Sequence, residues 1–200
     1  MYSKLPNLVL GFHGCDRTTF DAVIRQGQCL EPSENDYDWL GHGIYFWEGN
    51  LSRAWDYAKE LKRRNRIKTE AVIGAVIDLA YCLNLLETES LQIVKMGYKI
   101  LKRKCDLVGI PLPTNSPGGS KTDLLLRRLD CAVIETVHEY MKEERGRAYD
   151  SVRGVFVEGE ALYDGAGFHA KNHIQICIRN PNCIKGFFAP RDLLDSHPNP

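Results

Sequence analysis

The chain has 200 residues, 44% of them hydrophobic and 26% charged, enough to bury one substantial core and too few for a second full domain. Acidic and basic residues balance at 26 each, which excludes a chain-wide field attractive to nucleic acid and leaves any such role to a local patch. Seven cysteines without a C-x-x-C pair, an N-terminus with no basic region before a long apolar run, and no apolar stretch near the roughly 20 residues of a bilayer span together indicate a reduced, cytoplasmic protein with no membrane partner.

Residues 7–14, NLVLGFHG, alternate and close on glycine, which predicts a strand with His13 at its end. Thr18 or Thr19 is placed to cap a helix carrying Phe20, Val23 and Ile24 on one face, with Gly27 as its stop. WLGHGIYFWEGN, residues 39–50, sets two glycines before a β-prone run. Asn50 or Ser52 then opens a second helix with Leu51, Ala54, Trp55, Ala58 and Leu61 inward, continuing into the basic KELKRRNRIK.

TEAVIGAVIDLAYCLNLL, residues 69–86, supplies a further strand and its exit. ESLQIVKMGYKILKRK reads as a helix and GIPLPTNSPGGS as a long loop punctuated by three prolines. KTDLLLRRLDCAVIETVHEYMKEERGR is the longest helical pattern, capped by Ser120 or Thr122, with Leu125, Leu129, Ala132, Val133 and Val137 as its inward stripe. SVRGVFVEGE and HIQICIRN return to β character around the loop ALYDGAGFHAKN, and CIKGFFAP adds a last strand.

His13-Gly14 before a helix, then GHGIYF about thirty residues later, then the helix LSRAWDYA, form an ordered set. In order and spacing this set resembles the NAD-binding half of ADP-ribosyltransferases of the poly(ADP-ribose) polymerase or diphtheria-toxin-like type. The resemblance covers residues 8–60 and, more loosely, 152–188. It implies an α+β fold, a split β-sandwich of two mixed sheets with flanking helices, as a single domain over 1–200 with a helical insertion around 88–148.

It also implies NAD as co-substrate, with no metal. His13 would bond the adenine-side ribose, and the Gly14 main chain would hold the nicotinamide carboxamide. Gly43-Ile44-Tyr45-Phe46 matches the family's second motif, which places Gly43 at the cofactor and stacks Tyr45 on the nicotinamide ring; Tyr57 would pack the ring's other side. A flat cationic ring suits such aromatic platforms. The competing reading of Tyr57 is a core-facing helix tyrosine.

The third motif departs from the family. A glutamate stands there in the polymerases, whereas the strand NHIQICIRN carries Gln175. Loss of nicotinamide leaves an oxocarbenium-like ribose, which a carboxylate stabilises better than an amide does. Gln175 can still accept a ribose hydroxyl and orient NAD, so single transfer fits better than chain elongation. Glu158 or Glu160 of VEGE can supply the missing charge, with Glu160 favoured; solvated glutamates beside a turn are the plain alternative.

Other signals carry less. NSPGGSKT lacks the glycines of a phosphate loop at Asn115 and Ser120. His169 and His173 lack an assured third metal ligand, and Cys15 lacks an activating neighbour for a thiol nucleophile. Lys62, Arg63, Arg64 and Arg66, flanked by Lys59 and Lys68, can neutralise phosphates or simply solvate a helix end. Tyr37, Trp39, Tyr163 and Phe168 are candidates to stack a presented base.

The resulting expectation is an NAD-dependent mono-ADP-ribosyltransferase with a macromolecular acceptor, nucleic acid ahead of a protein side chain. Small free-standing transferases of this look resemble bacterial or phage-defence toxins, which implies an antitoxin or inhibitor protein as partner. The rivals are an NAD- or ADP-ribose-binding module and an RNA 2′-phosphotransferase.

Overall fold

The computed structural model describes residues 8–118 and 123–191, so the caps predicted at Ser120 and Thr122 lie outside the described residues. The first strand, β1 (Leu8–Asp16), runs two residues past Gly14, so His13 lies inside the strand rather than at its end. Asp16 closes β1 and also caps α1 (Arg17–Gln26): its carboxylate accepts from Thr18 N at 2.9 Å, so the cap is Asp16 and not Thr18 or Thr19. The same carboxylate accepts from Lys68 N at 2.6 Å and Thr69 N at 3.2 Å. These main-chain donors, Thr18 first, hold its pKa far below the usual carboxylate range.

β2 (Ile44–Glu48) leads through Asn50 into α2 (Leu51–Arg63), and the Asn50 side chain caps the helix by accepting from Arg53 N at 3.0 Å. β3 (Glu70–Asp78), β4 (Cys82–Asn84) and α3 (Thr88–Val108) follow. α4 (Arg128–Arg145) starts later than its apolar pattern predicts. The reason is a small ribbon: β5 (Asn115–Ser116) pairs with β6 (Leu126–Arg127), which draws Leu125 out of the helix. Asn115 Oδ1 then accepts from Leu129 N and Asp130 N, at 2.9 and 3.3 Å, serving the first turn of α4 from a distant strand. β7 (Ser151–Phe156), β8 (His173–Ile178) and β9 (Ile184–Phe188) complete the chain.

Seven strands join in one sheet, in the order β4-β7-β8-β2-β1-β3-β9, rather than in two separate sheets. The sheet is mixed, since β4 and β7 are parallel and the other neighbours antiparallel. Its two halves are joined weakly. β1 pairs with β3 over nine positions, from Leu8↔Asp78 to Asp16↔Glu70, but with β2 over two, Gly11↔Glu48 and Phe12↔Trp47.

Apolar side chains fill both faces. Phe20 and Val23 of α1 pack on Ile44, Phe46, Ile73 and Ile176. Opposite them, Ile134, Val137 and Met141 of α4 cover Leu40, Val152 and Cys177. Each such large side chain contributes about 1.5–3 kcal/mol on full burial. α3 crosses α4 closely at Gly97, where a Cβ would lie 2.4 Å from Val137 Cγ2. Among the described residues no helix is long and apolar enough to cross a membrane.

Candidate functional site

Main-chain hydrogen bonds show which way each residue of β1 faces. Gly49 N donates to Leu10 O and Arg17 N to Thr69 O, both at 2.8 Å. With a period of two, the peptide groups of Leu10, Phe12 and Gly14 point toward β2, and those of Gly11, His13 and Cys15 toward β3. The β1–β2 ladder ends at Phe12↔Trp47, two positions short of Gly14 opposite Tyr45. The Gly14 N–H and C=O therefore face a seam from which β2 has drawn away.

His13 spans this seam. Its Nδ1 donates to Tyr45 O at 2.8 Å, taking the carbonyl that Gly14 would otherwise meet. Burial pushes the His13 pKa down, against the pull of the Tyr45 carbonyl, so the ring is neutral and Nε2 is left as an acceptor. The ring lies edge-on to Phe46, 5.9 Å between centroids. Alternation along β2 sends Phe46 to the α1 face and Tyr45 to the α4 face. His13 and Tyr45 thus meet through the main chain, not ring to ring.

The Tyr45 hydroxyl is anchored in the preceding loop: it accepts from Leu40 N at 2.8 Å and donates to Gly41 O at 2.7 Å. Burial raises its pKa well above the usual phenol range. That loop is held in turn by α4, where Glu135 Oε1 accepts from His42 N at 2.8 Å and the carboxylate pairs with Arg179. Desolvation pushes the Glu135 pKa up, but the hydrogen bonds from Arg179 and His42 outweigh it and the net shift is downward.

Gly14 is glycine because α2 leaves no room: a Cβ would lie 2.4 Å from Ala54 O. Gly43 is spoken for differently. A Cβ there would meet Cys177 Sγ and Ile178 O at 2.6 Å, and its N–H and C=O both bond Ser33, at 3.0 and 2.8 Å. Gly43 shapes the entry to β2 and offers no free peptide group to a cofactor, contrary to the expectation from its motif.

Trp47 stands opposite Gln175 in the β2–β8 register, so the two side chains share the α2 and α4 side of the sheet. Tyr57 lies over Trp47, 4.9 Å between rings, and is 40% exposed, so it sits at the surface of the fold instead of in the core. Gln175 Nε2 is 3.0 Å from His173 Nε2. Glu158 is buried beside them, with Oε2 3.8 Å from Arg53 Nη2 and 3.9 Å from His173 Nδ1. Burial raises the Glu158 pKa, while the Arg53 cation opposes that shift.

The structure places Glu160, the residue favoured from sequence, differently from Glu158. Glu160 is exposed, and its main-chain carbonyl accepts from Ala170 N at the base of the β7–β8 loop. β alternation carried just past Phe156 turns Glu158 back under α2 and leaves Glu160 in the turn. His169 Nδ1 donates to Gly159 O at 2.8 Å, which employs it in the same loop, and among the described residues no group of three side chains could hold a metal ion. Cys15 is buried, its thiol pushed up to about 11 by desolvation first and Asp16 second, which removes a thiolate nucleophile at neutral pH.

The basic segment is partly neutralised. Lys62 pairs with Glu70 at 2.5 Å and Arg64 with Glu60, while Arg63 and Arg66 are exposed and enter no ion pair within the described residues.

Arg53 and Trp47 carry no functional signal in the sequence, and His173 enters there only as half of a metal pair with His169. Arg53 is 14% exposed yet makes no side-chain hydrogen bond within the described residues; its nearest carboxylates, Asp56 and Glu158, are both 3.8 Å away. Its Nε and Trp47 Nε1 are buried and have no hydrogen-bond partner among the described residues. A hint comes only once Tyr57 is placed: Arg53 and Tyr57 are four apart on α2, so the helix face that carries Tyr57 also carries Arg53.

No family model matches the chain, and no solved structure matches it. An uncharacterized protein of Methanocaldococcus jannaschii is 26% identical over 197 residues, an alignment that covers 87% of this chain and 83% of the archaeal one. The similarity spans most of both chains and is not confined to one motif.

Proposed function

We propose that the chain is an NAD-dependent mono-ADP-ribosyltransferase that breaks the nicotinamide–ribose bond and passes ADP-ribose to a macromolecular acceptor. The observation that carries this reading is the seam: the Gly14 peptide edge is released from β2 beside a neutral histidine acceptor and below a half-exposed tyrosine.

In this reading Gly14 offers an N–H to the carboxamide oxygen of NAD and a C=O to its amide, as only an unpaired strand edge can. His13 Nε2 accepts from a ribose hydroxyl, and Tyr57 provides the aromatic face for the nicotinamide ring. Gln175 Oε1 accepts from the second ribose. Glu158 stabilises positive charge developing at C1′ and takes the proton of the acceptor. The bond from C1′ to the nicotinamide nitrogen breaks with its electron pair staying on nicotinamide. The acceptor lone pair forms the new bond to C1′.

Nucleic acid is favoured as acceptor because α2 links the two ends of the site. It carries Arg53 and Tyr57 at the seam and ends at Arg63, about 15 Å further along its axis, a span suited to phosphates flanking a presented nucleotide. The alternative is an NAD-binding module without transfer, favoured by the neutral amide at Gln175.

The test is incubation with adenylate-labelled NAD and, separately, RNA, DNA or cell-extract protein, following free nicotinamide and transferred label together. Label on one macromolecule class, absent with His13→Ala, supports the transferase and names the acceptor. Bound NAD with neither nicotinamide release nor label, with every acceptor offered, leaves the binding module.

A further inference from the structure

His173 and Gln175 are two residues apart on β8 and so lie on one side of it. His173 Nδ1 is 2.6 Å from Lys171 O, and a carbonyl can only accept, so Nδ1 carries the proton. In a neutral ring Nε2 is then a bare acceptor. Gln175 Nε2, 3.0 Å from it, must be the donor, which turns Oε1 of the same amide away from the ring.

We propose that His173 is a positioning residue that locks the Gln175 amide in one of its two flips, presenting Oε1 to a ribose hydroxyl of NAD, and that position 175 is thereby matched to glutamine and not to glutamate. The inference rests on the reading of the seam as an NAD site for what Oε1 meets, but the lock itself is a property of the protein alone.

The other flip would point Oε1 at the ring and needs Nε2 protonated as well, hence an imidazolium. Several charged groups face that ring. Arg53 approaches from α2 and Glu158 from beyond the end of β7, while Lys171 meets the ring through its main-chain carbonyl and directs its charge to Glu158. Asp123, whose carboxylate accepts from Gly159 N at 3.2 Å, acts on Glu158 behind them. Desolvation by Phe156, Trp47 and their neighbours keeps the ring neutral, the Lys171 carbonyl opposes this, and Arg53 adds to it. A carboxylate at 175 would set an oxygen against the bare Nε2 lone pair. Only a proton on His173 would relieve that contact, so Gln175→Glu should create a charged pair instead of restoring a free catalytic carboxylate.

Nitrogen-15 spectra of the histidine rings of the full chain, assigned with His173→Gln, read the lock without NAD. The expected signature near neutral pH is a neutral His173 with Nδ1 protonated and Nε2 bare. In Gln175→Glu the His173 titration midpoint should rise by about one pH unit or more. In Gln175→Leu it should not rise. A ring protonated on Nε2 in the wild type, or a midpoint unmoved by Gln175→Glu, would overturn the proposal. The signature present without any NAD binding upholds the lock and removes the NAD reading; NAD cleavage with Nε2 protonated keeps that reading and removes the lock.

Discussion

The two edges of β1 are made from the same nine residues and behave in opposite ways. Along β3 they form a ladder without a break, and along β2 the ladder stops after Phe12. The closed edge is secured at its far end by Asp16, which binds the main chain of both α1 and the entry to β3. The open edge is held apart by His13, whose ring replaces a peptide partner. The difference teaches that a strand fixed on one side can lend its other side to a ligand without losing its place in the sheet.

The strongest way to break this comparison is to crowd Gly14. Gly14→Val places a branched side chain into the Ala54 carbonyl, so α2 must lift from β1. A loss above about 3 kcal/mol is expected in urea unfolding, with no cooperative transition as the extreme result. If Gly14→Val unfolds like the wild type, the tight approach of α2 is wrong.

Next comes the strut. His13→Ala should lower nicotinamide release by about 100-fold or more while costing only about 1–2 kcal/mol of stability, because one hydrogen bond and one edge contact are lost. Equal losses of stability and activity would make His13 a structural residue only. Tyr45→Phe removes the hydroxyl that bonds Leu40 N and Gly41 O and should destabilise by about 1–3 kcal/mol. Thermal unfolding of the variant measures it.

His138, on α4, gives a comparison outside the proposed set of NAD contacts. It is buried in α4, neither ring nitrogen has a partner within the described residues, and desolvation lowers its pKa to about 4. The unfolded ring binds a proton below about 6.5. The neutral folded ring therefore contributes fully above that pH, and its contribution is lost as pH falls toward 4. Urea midpoints at pH 7 and pH 5 should differ less in His138→Phe than in the wild type, by about 1–3 kcal/mol in stability. An unchanged difference would assign acid sensitivity to other groups, His13 among them.

The smallest effect sharpens the reading of the acidic pair. Glu158→Gln should reduce transfer at least tenfold, and Glu160→Gln should stay within about twofold, because only Glu158 lies under α2 beside Arg53. The reverse ranking would return the role to the turn.

Much of this arrangement was legible in the chain. Alternation gave β1, β2 and β8, Asn50 announced α2, and Gly27 the end of α1. Local patterns could not show where ladders stop. That His13 lies within β1 and that Asp16 outcompetes two threonines as cap depend on partners more than fifty residues away, and that β6 takes the first residues of the long helical pattern depends on its pairing with β5 across an intervening loop. In the candidate site, residue type and helical spacing alone placed His13 on β1 and Tyr57 on α2 beside Trp47. The site was illegible where burial decided, as for Glu158 against Glu160, or where a partner set the role, as for His173 and Arg53.

The carboxylate of Glu135 carries a last consequence. Residues 88–148 read from sequence as a helical insertion. Yet the loop that anchors the Tyr45 hydroxyl takes its main-chain acceptor from α4. Cutting away the helical pair would take the Glu135 acceptor with it. The domain is indivisible at this point, and any shortened or spliced descendant of it would need a new acceptor for His42 N before it could keep the Tyr45 hydroxyl anchored.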